Sequence, residues 1–393
     1  MAGPLSSLKI LDFSGLLPGP FGTMVLADMG ADIVRLEAPG RPDMVRAMPP
    51  MDDGVSACHG YLNRSKKSLA VDLKKPEGVE IVKKLVQQYD IIVEQFRPGV
   101  MARLGVGYEA LKAVNPGLIY CSITGYGQDG PYKDRAGHDM NYLSIAGVTA
   151  GYNSRKASGP GPINVQIADV AGGSYHAVMG ILAAVIHRQQ TGEGQCIDIS
   201  MTDAAFSMHA LTAPPALVAK QPPEAPSQLN GGSFYDCYET SDGRWFSAGG
   251  LEPQFFTQFC AAIGKPELTP KGLVMAPEVV AEVKREIAAA MKQKTFAEWA
   301  RIFIAIDACA EPVLTFAEAC EHPQIKARGM LVDVPKPNGG TQKQIASAIK
   351  FSKTKPRYDY IGAQLGMHTD VVLGQAGFSA EQVEALRKAG VVA

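Results

Sequence analysis

The chain has 393 residues, 46% of them hydrophobic and 20% charged, and 38 Lys and Arg stand against 39 Asp and Glu for a formal net charge of −1. That length predicts two domains, the composition is that of a globular protein, and the balanced charge argues against nucleic-acid binding through bulk charge while leaving room for a local basic patch. No basic leader with an apolar run and no stretch of about 18 apolar residues stands out, so a cytoplasmic protein without a membrane span is expected. The seven scattered cysteines lack a C-x-x-C pair and read as reduced thiols.

In chain order, LKILDFS (8–14) is strand-like, FGTMVLADMG (21–30) has helical spacing that stops at Gly30, and ADIVRLE (31–37) is a second strand. Two strands joined by a helix predict a parallel pair. The cycle repeats with a helix over 76–90, strands over 91–96 and 118–127, a long apolar helix over 170–190 and a strand over 194–200. The fold class is therefore α/β, with a doubly wound parallel sheet in the large domain. TAPPALVAKQPPEAPSQLNGG (212–232) reads as a linker. SFYDCYETSDGRWFSAGG (233–250) predicts an antiparallel hairpin around Ser-Asp-Gly, followed by helices over 254–263, 278–292 and 296–305 and helical sequence over 368–390. The expected organisation is a large α/β domain (1–211), a linker (212–232), a smaller α+β domain (233–329) and a return segment (330–393) docking on the large domain.

No histidine pair has metal-ligand spacing; His176 and His187 share roughly one helix face but read as unrelated, and no metal is expected. SGLLPGPFG (14–22) lies where a dinucleotide loop would, yet its spacing is G-x-x-x-G-x-x-G, and a tight structural turn explains it as well as a ligand does. NRSKKSLAVDLKKPEG (63–78) carries Arg64, Lys66, Lys67, Lys74 and Lys75. It reads either as a lysine-guarded edge strand or as a cradle for a phosphorylated, adenine-bearing ligand. Arg97 and Arg103 follow a strand's carboxyl end, where open α/β sheets bind ligands. AGHDMNYLSIAG (136–147) and NVQIADVAGG (164–173) present His138 and Asp169. They are either a hydrogen-bonded bystander and a helix N-cap, or a pair that moves protons, with the helix start favouring a neutral His138.

The segments LKILDFSGLLPGPFGTMVLADMGADIVRLE, NRSKKSLAVDLKKPEG, FRPGVMARLG, NPGLIYCSITGYGQDGPY, TGEGQCIDISM, DACAEPVLTFAEA and HTDVVL together resemble the family III CoA-transferases (CaiB/BaiF type) over nearly the whole chain. AGHDMNY, ADVAGG, GGSFYDCYETSDGRWFSAGGLEPQFF and Asp-Ala-Cys-x-x-Pro-Val resemble the α-methylacyl-CoA racemase branch of that family. The transferase branch shares Asp169 but usually lacks a His at 138 and the Glu-Pro-Gln-Phe segment. The resemblance implies an interlocked homodimer whose site joins the large domain of one chain to the small domain of the other. It implies an isomerase that inverts the α-carbon of 2-methyl-branched acyl-CoA thioesters by proton transfer through an enolate, with CoA present only as part of the substrate. His138 and Asp169 are cast as the two bases and Glu252 as the partner that orients His138. The implied CoA contacts are Val71, Asp72, Leu73, Lys74, Gln95, Phe96, Arg97, Pro98, Gly99, Arg103, Gly137, Asp139, Met140, Asn141 and Tyr142. The helix start at 169–173 is expected to offer backbone N–H groups to the enolate oxygen.

Two departures stand out. The branch carries a second basic residue shortly after Arg35, where this chain has Ala38, so Arg41 or Lys67 is expected to stand in. The insert over 39–61 is longer than the racemase pattern, resembles the transferase branch and is expected to reshape the acyl pocket. Two rival readings remain: a CoA-transferase in which Asp169 attacks the thioester and forms an aspartyl-CoA intermediate, and an acyl-CoA-binding relative without turnover.

Overall fold

The computed structural model describes residues 3–149, 164–219 and 227–393. The chain divides into two compact units, the first built from Met1–Ala146, Ile163–Met208 and Gln324–Ala393, the second containing His209–Pro323.

The first unit begins β1 (Lys9–Asp12), α1 (Pro18–Asp28) and β2 (Asp32–Glu37), the strand–helix–strand unit that the sequence predicts. The insert follows as a 3₁₀ turn (Met44–Ala47), the short hairpin β3 (Met51–Asp52) and β4 (Val55–Ser56), and α2 (Ala57–Leu62). Next come β5 (Lys67–Ala70), α3 (Pro76–Leu85), β6 (Ile91–Glu94), α4 (Val100–Arg103), α5 (Tyr108–Lys112), β7 (Ile119–Thr124) and α6 (Asp139–Ile145). A π-helical segment (Ala168–Tyr175) runs into α7 (His176–Thr191), then β8 (Cys196–Ser200) and α8 (Met201–Ser207). The helix expected over 170–190 is thus two elements: its first two turns are π, and only the remainder is α. By length and composition Ala168–Thr191 would suffice to cross a bilayer, which corrects the expectation that no such run exists. Here it packs on α1, β7 and β8 as a core helix.

Six of these strands form one parallel sheet in the order β5-β2-β1-β6-β7-β8. The winding reverses between β1 and β6, because the chain goes outward through β2 and β5, then returns to β6 and goes outward the other way. Strands covered on both faces read as continuous apolar runs, and Ile119–Thr124 is buried throughout. One face of the sheet packs Leu11, Val34, Leu69 and Ile92 against Ile81, Val82 and Leu85 of α3.

The free edge of β5 is closed by the return segment. His368 Nδ1 accepts from Ser68 N at 3.1 Å, His368 N donates to Ser68 O at 3.0 Å, and Val392 bridges Val71. The His-Thr-Asp sequence therefore blocks a sheet edge, a structural role. The return segment also holds the hairpin β12 (Leu331–Pro335) and β13 (Thr341–Ile345) and the helices Thr369–Gln375 and Ala380–Lys388. The second of these helices starts on a reciprocal Ser379/Gln382 capping box.

In the second unit β9 (Asp236–Glu239) and β10 (Trp245–Ala248) form the expected hairpin, and β11 (Ala310–Pro312) completes an antiparallel sheet in the order β11-β10-β9. Gly243 takes φ +77° in the turn, a conformation that an L side chain rarely adopts. Helix α10 (Pro253–Ala262) and the helices Pro277–Met291 and Phe296–Phe303 pack Phe256, Phe259, Trp299 and Phe303 against Phe246. Part of the expected linker, 220–226, lies outside the described residues, and Ala213–Ala219 within it forms helix α9.

Candidate active site

In an open α/β sheet, ligands bind beyond the carboxyl ends of the strands where the winding reverses. Here that point lies between Asp12 of β1 and Glu94 of β6. Buried Asp12 accepts from Ser14 N (2.9 Å), Thr23 Oγ1 (2.6 Å) and Lys66 Nζ (3.2 Å), and Lys66 also donates to Pro20 O (2.9 Å). Burial opposes the Asp12 charge, but Lys66 and Arg35 overcome it and lower the carboxyl's pKa. This network pins the amino end of α1 to β1. Across the switch point Gln95 Oε1 accepts from Gly19 N at 2.9 Å. A Cβ at Gly19 would lie 2.2 Å from Ser14 Cβ and 2.7 Å from Gln95 Oε1. Packing accounts for that glycine, so the 14–22 loop is a tight structural turn.

The π segment lies against this end of α1 and carries Asp169. Helix α6 also packs on it, and Asp139 Oδ1 accepts from Asp169 N at 3.0 Å. Asp139 is therefore the cap of the segment; Asp169 lies within its first turn, so the N-cap reading of Asp169 fails. Burial, and secondarily the neighbouring Asp139 charge, push the Asp169 carboxyl up to about 7. Asp139 is itself raised by burial, partly offset by the N–H groups of Asp169 and Ala168. Tyr142 is raised by burial and by the charge of Asp169, which places the two side chains near each other, and its hydroxyl donates to Gly137 O. The amides of Ala168 and Asp169 bind Asp139, and that of Val170 donates to Gln166 O at 3.0 Å. These N–H groups are occupied, which corrects the expectation that the start of 169–173 offers free donors to an enolate.

His138 is the N-cap residue of α6 and is exposed. Its backbone N–H donates to Asn141 Oδ1 at 3.0 Å, so Asn141 is fixed as a local structural partner. His138 is covalently next to Asp139, whose carboxylate holds Asp169. Residues 137–142 and Asp169 thus form one local cluster. Met140 is half exposed beside it.

The implied CoA contacts fall on the same carboxyl edge. Val71 is buried at 2% exposure, its N–H bonded to Glu37 O, and Asp72 N donates to Val391 O at 2.8 Å. Leu73 is half-buried against the core, and Asp72 Oδ1 accepts from Lys74 N. This leaves Lys74 as the exposed basic group of that stretch. Beyond β6, Phe96, Arg97 and Gly99 are exposed and Gln95 and Pro98 half-buried, with Gly99 at φ +79° beside Arg103. Arg41, Lys74, Arg97 and Arg103 are all exposed and form no ion pair among the described residues.

The rest of the basic stretch does lie at the sheet edge, on β5, but its cations Arg64, Lys66 and Lys67 are paired with acids rather than left in solvent. Arg64 is buried and binds both carboxylate oxygens of Asp28 (2.8 and 2.6 Å), and Lys66 is the buried partner of Asp12. Lys67 pairs with Asp32 at 2.7 Å, at the amino ends of β5 and β2. That is the opposite edge of the sheet, so Lys67 does not replace the base missing at Ala38. Arg41 faces Ala38 directly across a β-bridge. Arg35 is buried between Glu37 and Asp43. The insert is anchored by the same charges: Asp43 accepts from Leu16 N (2.8 Å), and Arg46 and His59 both bind Ala363 O (2.9 Å each). These ties run to the glycine turn and the return segment.

Glu252 belongs to the second unit, where it is exposed and is the N-cap residue of α10. The Cys309 thiol is raised by burial and by the charges of Asp307 and Glu252, so Glu252 and Cys309 are neighbours at the ends of β10 and β11.

The model of CoA-transferase family III matches residues 5–369. The chain is 36% identical to human α-methylacyl-CoA racemase over 99% of its own length and 97% of that protein's. It is 32% identical to succinate–glutarate CoA-transferase of Agrobacterium fabrum over 95% of each. Among solved structures, a CaiB/BaiF family protein from Brucella suis superposes with a TM-score of 0.83 at 30% identity, covering 96% of this chain and 100% of that one. The chain belongs to CoA-transferase family III, and it is an enzyme of the superfamily that holds both CoA-transferases and racemases.

Proposed function

We propose that this enzyme is a racemase or epimerase of 2-methyl-branched acyl-CoA thioesters, with His138 and Asp169 as its two bases. The observation that carries the reading is the cluster itself: exposed His138 immediately precedes Asp139, whose carboxylate holds the amide of Asp169, and the Asp169 carboxyl is pushed up to about 7. A thioester makes its α-proton acidic. Inversion needs a base on one face and an acid on the other, with roles exchanged for the reverse reaction. A carboxyl near 7 both accepts and returns a proton at neutral pH, and His138 supplies the second group of the pair. One partner starts protonated and the other unprotonated, neutral His138 facing the Asp169 acid in one direction and the Asp169 carboxylate facing the imidazolium in the other; the unprotonated partner takes the Cα proton, an enolate forms, and the protonated partner delivers its proton to the opposite face.

In this reading the CoA phosphates lie against Lys74, Arg97 and Arg103, with Arg41 supplying the charge absent at Ala38. The enzyme acts in the cytoplasm as an interlocked homodimer, in which Glu252 from a second copy accepts a hydrogen bond from His138 and sets its tautomer. No cofactor is needed beyond the CoA carried by the substrate. The rival transfer reaction uses Asp169 as nucleophile on the thioester carbonyl, and the similarity to the Agrobacterium fabrum transferase favours it.

The test is NMR of one pure enantiomer of a 2-methylacyl-CoA in D₂O without acceptor acid. Loss of the α-proton signal with appearance of the other epimer is expected. Exchange without inversion would leave one base unassigned. No exchange, with CoA transfer to an added carboxylic acid, would replace this reading by the transferase.

A further inference from the structure

Ser174 is wholly buried, at 0% exposure, in the last turn of the π segment. Its Oγ lies 2.7 Å from Pro18 O and 3.1 Å from Asp169 O. Carbonyls only accept, so the single hydroxyl proton is shared between them. The approach is close because small residues line it. A Cβ at Gly22 would lie 3.2 Å from Ser174 O, and one at Gly173 would lie 2.9 Å from Pro18 Cβ. One hydroxyl thus joins the carbonyl of Asp169, the last turn of the same segment and the amino end of α1 at the switch point. Two residues on, His176 Nδ1 donates to Ala171 O at 2.7 Å, while His176 N donates to Gly173 O. A side chain thereby supplies a second carbonyl of the segment where the π register gives way to α.

A π turn carries more residues than an α turn and is rare, appearing mostly at functional sites. Returning to the α register would remove one residue's rotation, about 100°, and turn Asp169 away from α6. We propose that Ser174 is a positioning residue whose hydroxyl holds the segment in π register and so keeps Asp169 turned toward Asp139. The inference rests on the reading of Asp169 as a proton-transfer group. The titratable groups facing Asp169 are Asp139 and Tyr142, both on α6. Elements α1 and α8 present Pro18, Gly22, Met201 and Ala204 to the segment, none of which titrates.

The experiment uses the full chain labelled with ¹³Cγ-aspartate, with Asp169→Asn identifying the resonance. Ser174→Ala is expected to move the Asp169 titration down by about one pH unit or more. It should also slow α-proton exchange about 10- to 100-fold, with acyl-CoA affinity unchanged. Ser174→Cys, which keeps a weak donor in a similar volume, should move both in the same direction by less, and it stands in if the alanine variant does not fold. A folded Ser174→Ala or Ser174→Cys protein with the Asp169 titration of the parent overturns the inference. If the parent shows no α-proton exchange, the functional reading fails, while the aspartate titration still decides the role of Ser174.

Discussion

Asp139 Oδ1 accepts the backbone N–H of Asp169 at 3.0 Å across 30 residues of sequence. The bond does two things. It caps the π segment, and it sets a negative charge beside a half-buried carboxyl. His138, the residue before Asp139, is tied to the same point through the backbone.

The Asp169–Asp139 relationship fixes a pH dependence. In Asp139→Asn the amide oxygen still accepts from Asp169 N, but the repelling charge is gone. The rise of the rate with pH that reports Asp169 deprotonation should move to lower pH. The measurement is the pH profile of α-proton exchange; an unmoved profile would mean that burial alone sets the Asp169 carboxyl.

Asp169 also carries a stability prediction. Its native pKa of about 7 lies above the roughly 3.9 of an unfolded chain. Between those values the native state binds more protons than the unfolded state, so this group's contribution is full below about pH 4 and is lost as pH rises through about 7. Asp169→Asn should therefore raise the melting temperature at pH 8 by roughly 2–4 °C and leave it unchanged near pH 3.5. Thermal unfolding at the two pH values checks the sign.

His138→Ala should lower racemisation about 10²- to 10⁴-fold, the usual worth of a positioned general base. Exchange from the enantiomer served by Asp169 should persist above that level, and any transfer of CoA to a free acid should survive. Separate exchange rates for the two enantiomers distinguish these outcomes.

The basic edge predicts a pattern of binding losses. Arg41→Ala and Arg97→Ala should each weaken CoA binding about 10-fold or more, the scale of a hydrogen bond to a charged group, and the loss should shrink in high salt. Lys67→Ala, at the opposite edge, should leave the affinity unchanged. Calorimetric titration with CoA at two salt concentrations measures this directly.

A different outcome is expected of Lys66→Met. It leaves Asp12 buried at 0% exposure without its cation, and breaking a buried pair in this way costs about 3–5 kcal/mol. Denaturant unfolding should show that loss, since Lys66 supports α1.

Local periodicity made the architecture legible. The runs 8–14, 31–37 and 91–96 are apolar because strands covered on both faces have no solvent side, and the helices between them make the pairing parallel. The Ser-Asp-Gly hairpin is likewise local chemistry. The π register was not legible, since it differs from α by one residue per turn and leaves the apolar pattern of Ala168–Thr191 intact. The basic stretch misled for a related reason: Arg64 and Lys66 look like surface cations until Asp28 and Asp12, distant in sequence, are brought beneath them.

The sequence by itself determined that strands and helices alternate, because that depends on side-chain type and short-range spacing. Only the tertiary structure decided that Asp139 and not Asp169 is the cap, that Lys67 and Arg41 lie on opposite edges, and that Asp169 holds its proton to near neutral pH. Each of these depends on strand order and burial, which bring together groups that no local pattern connects.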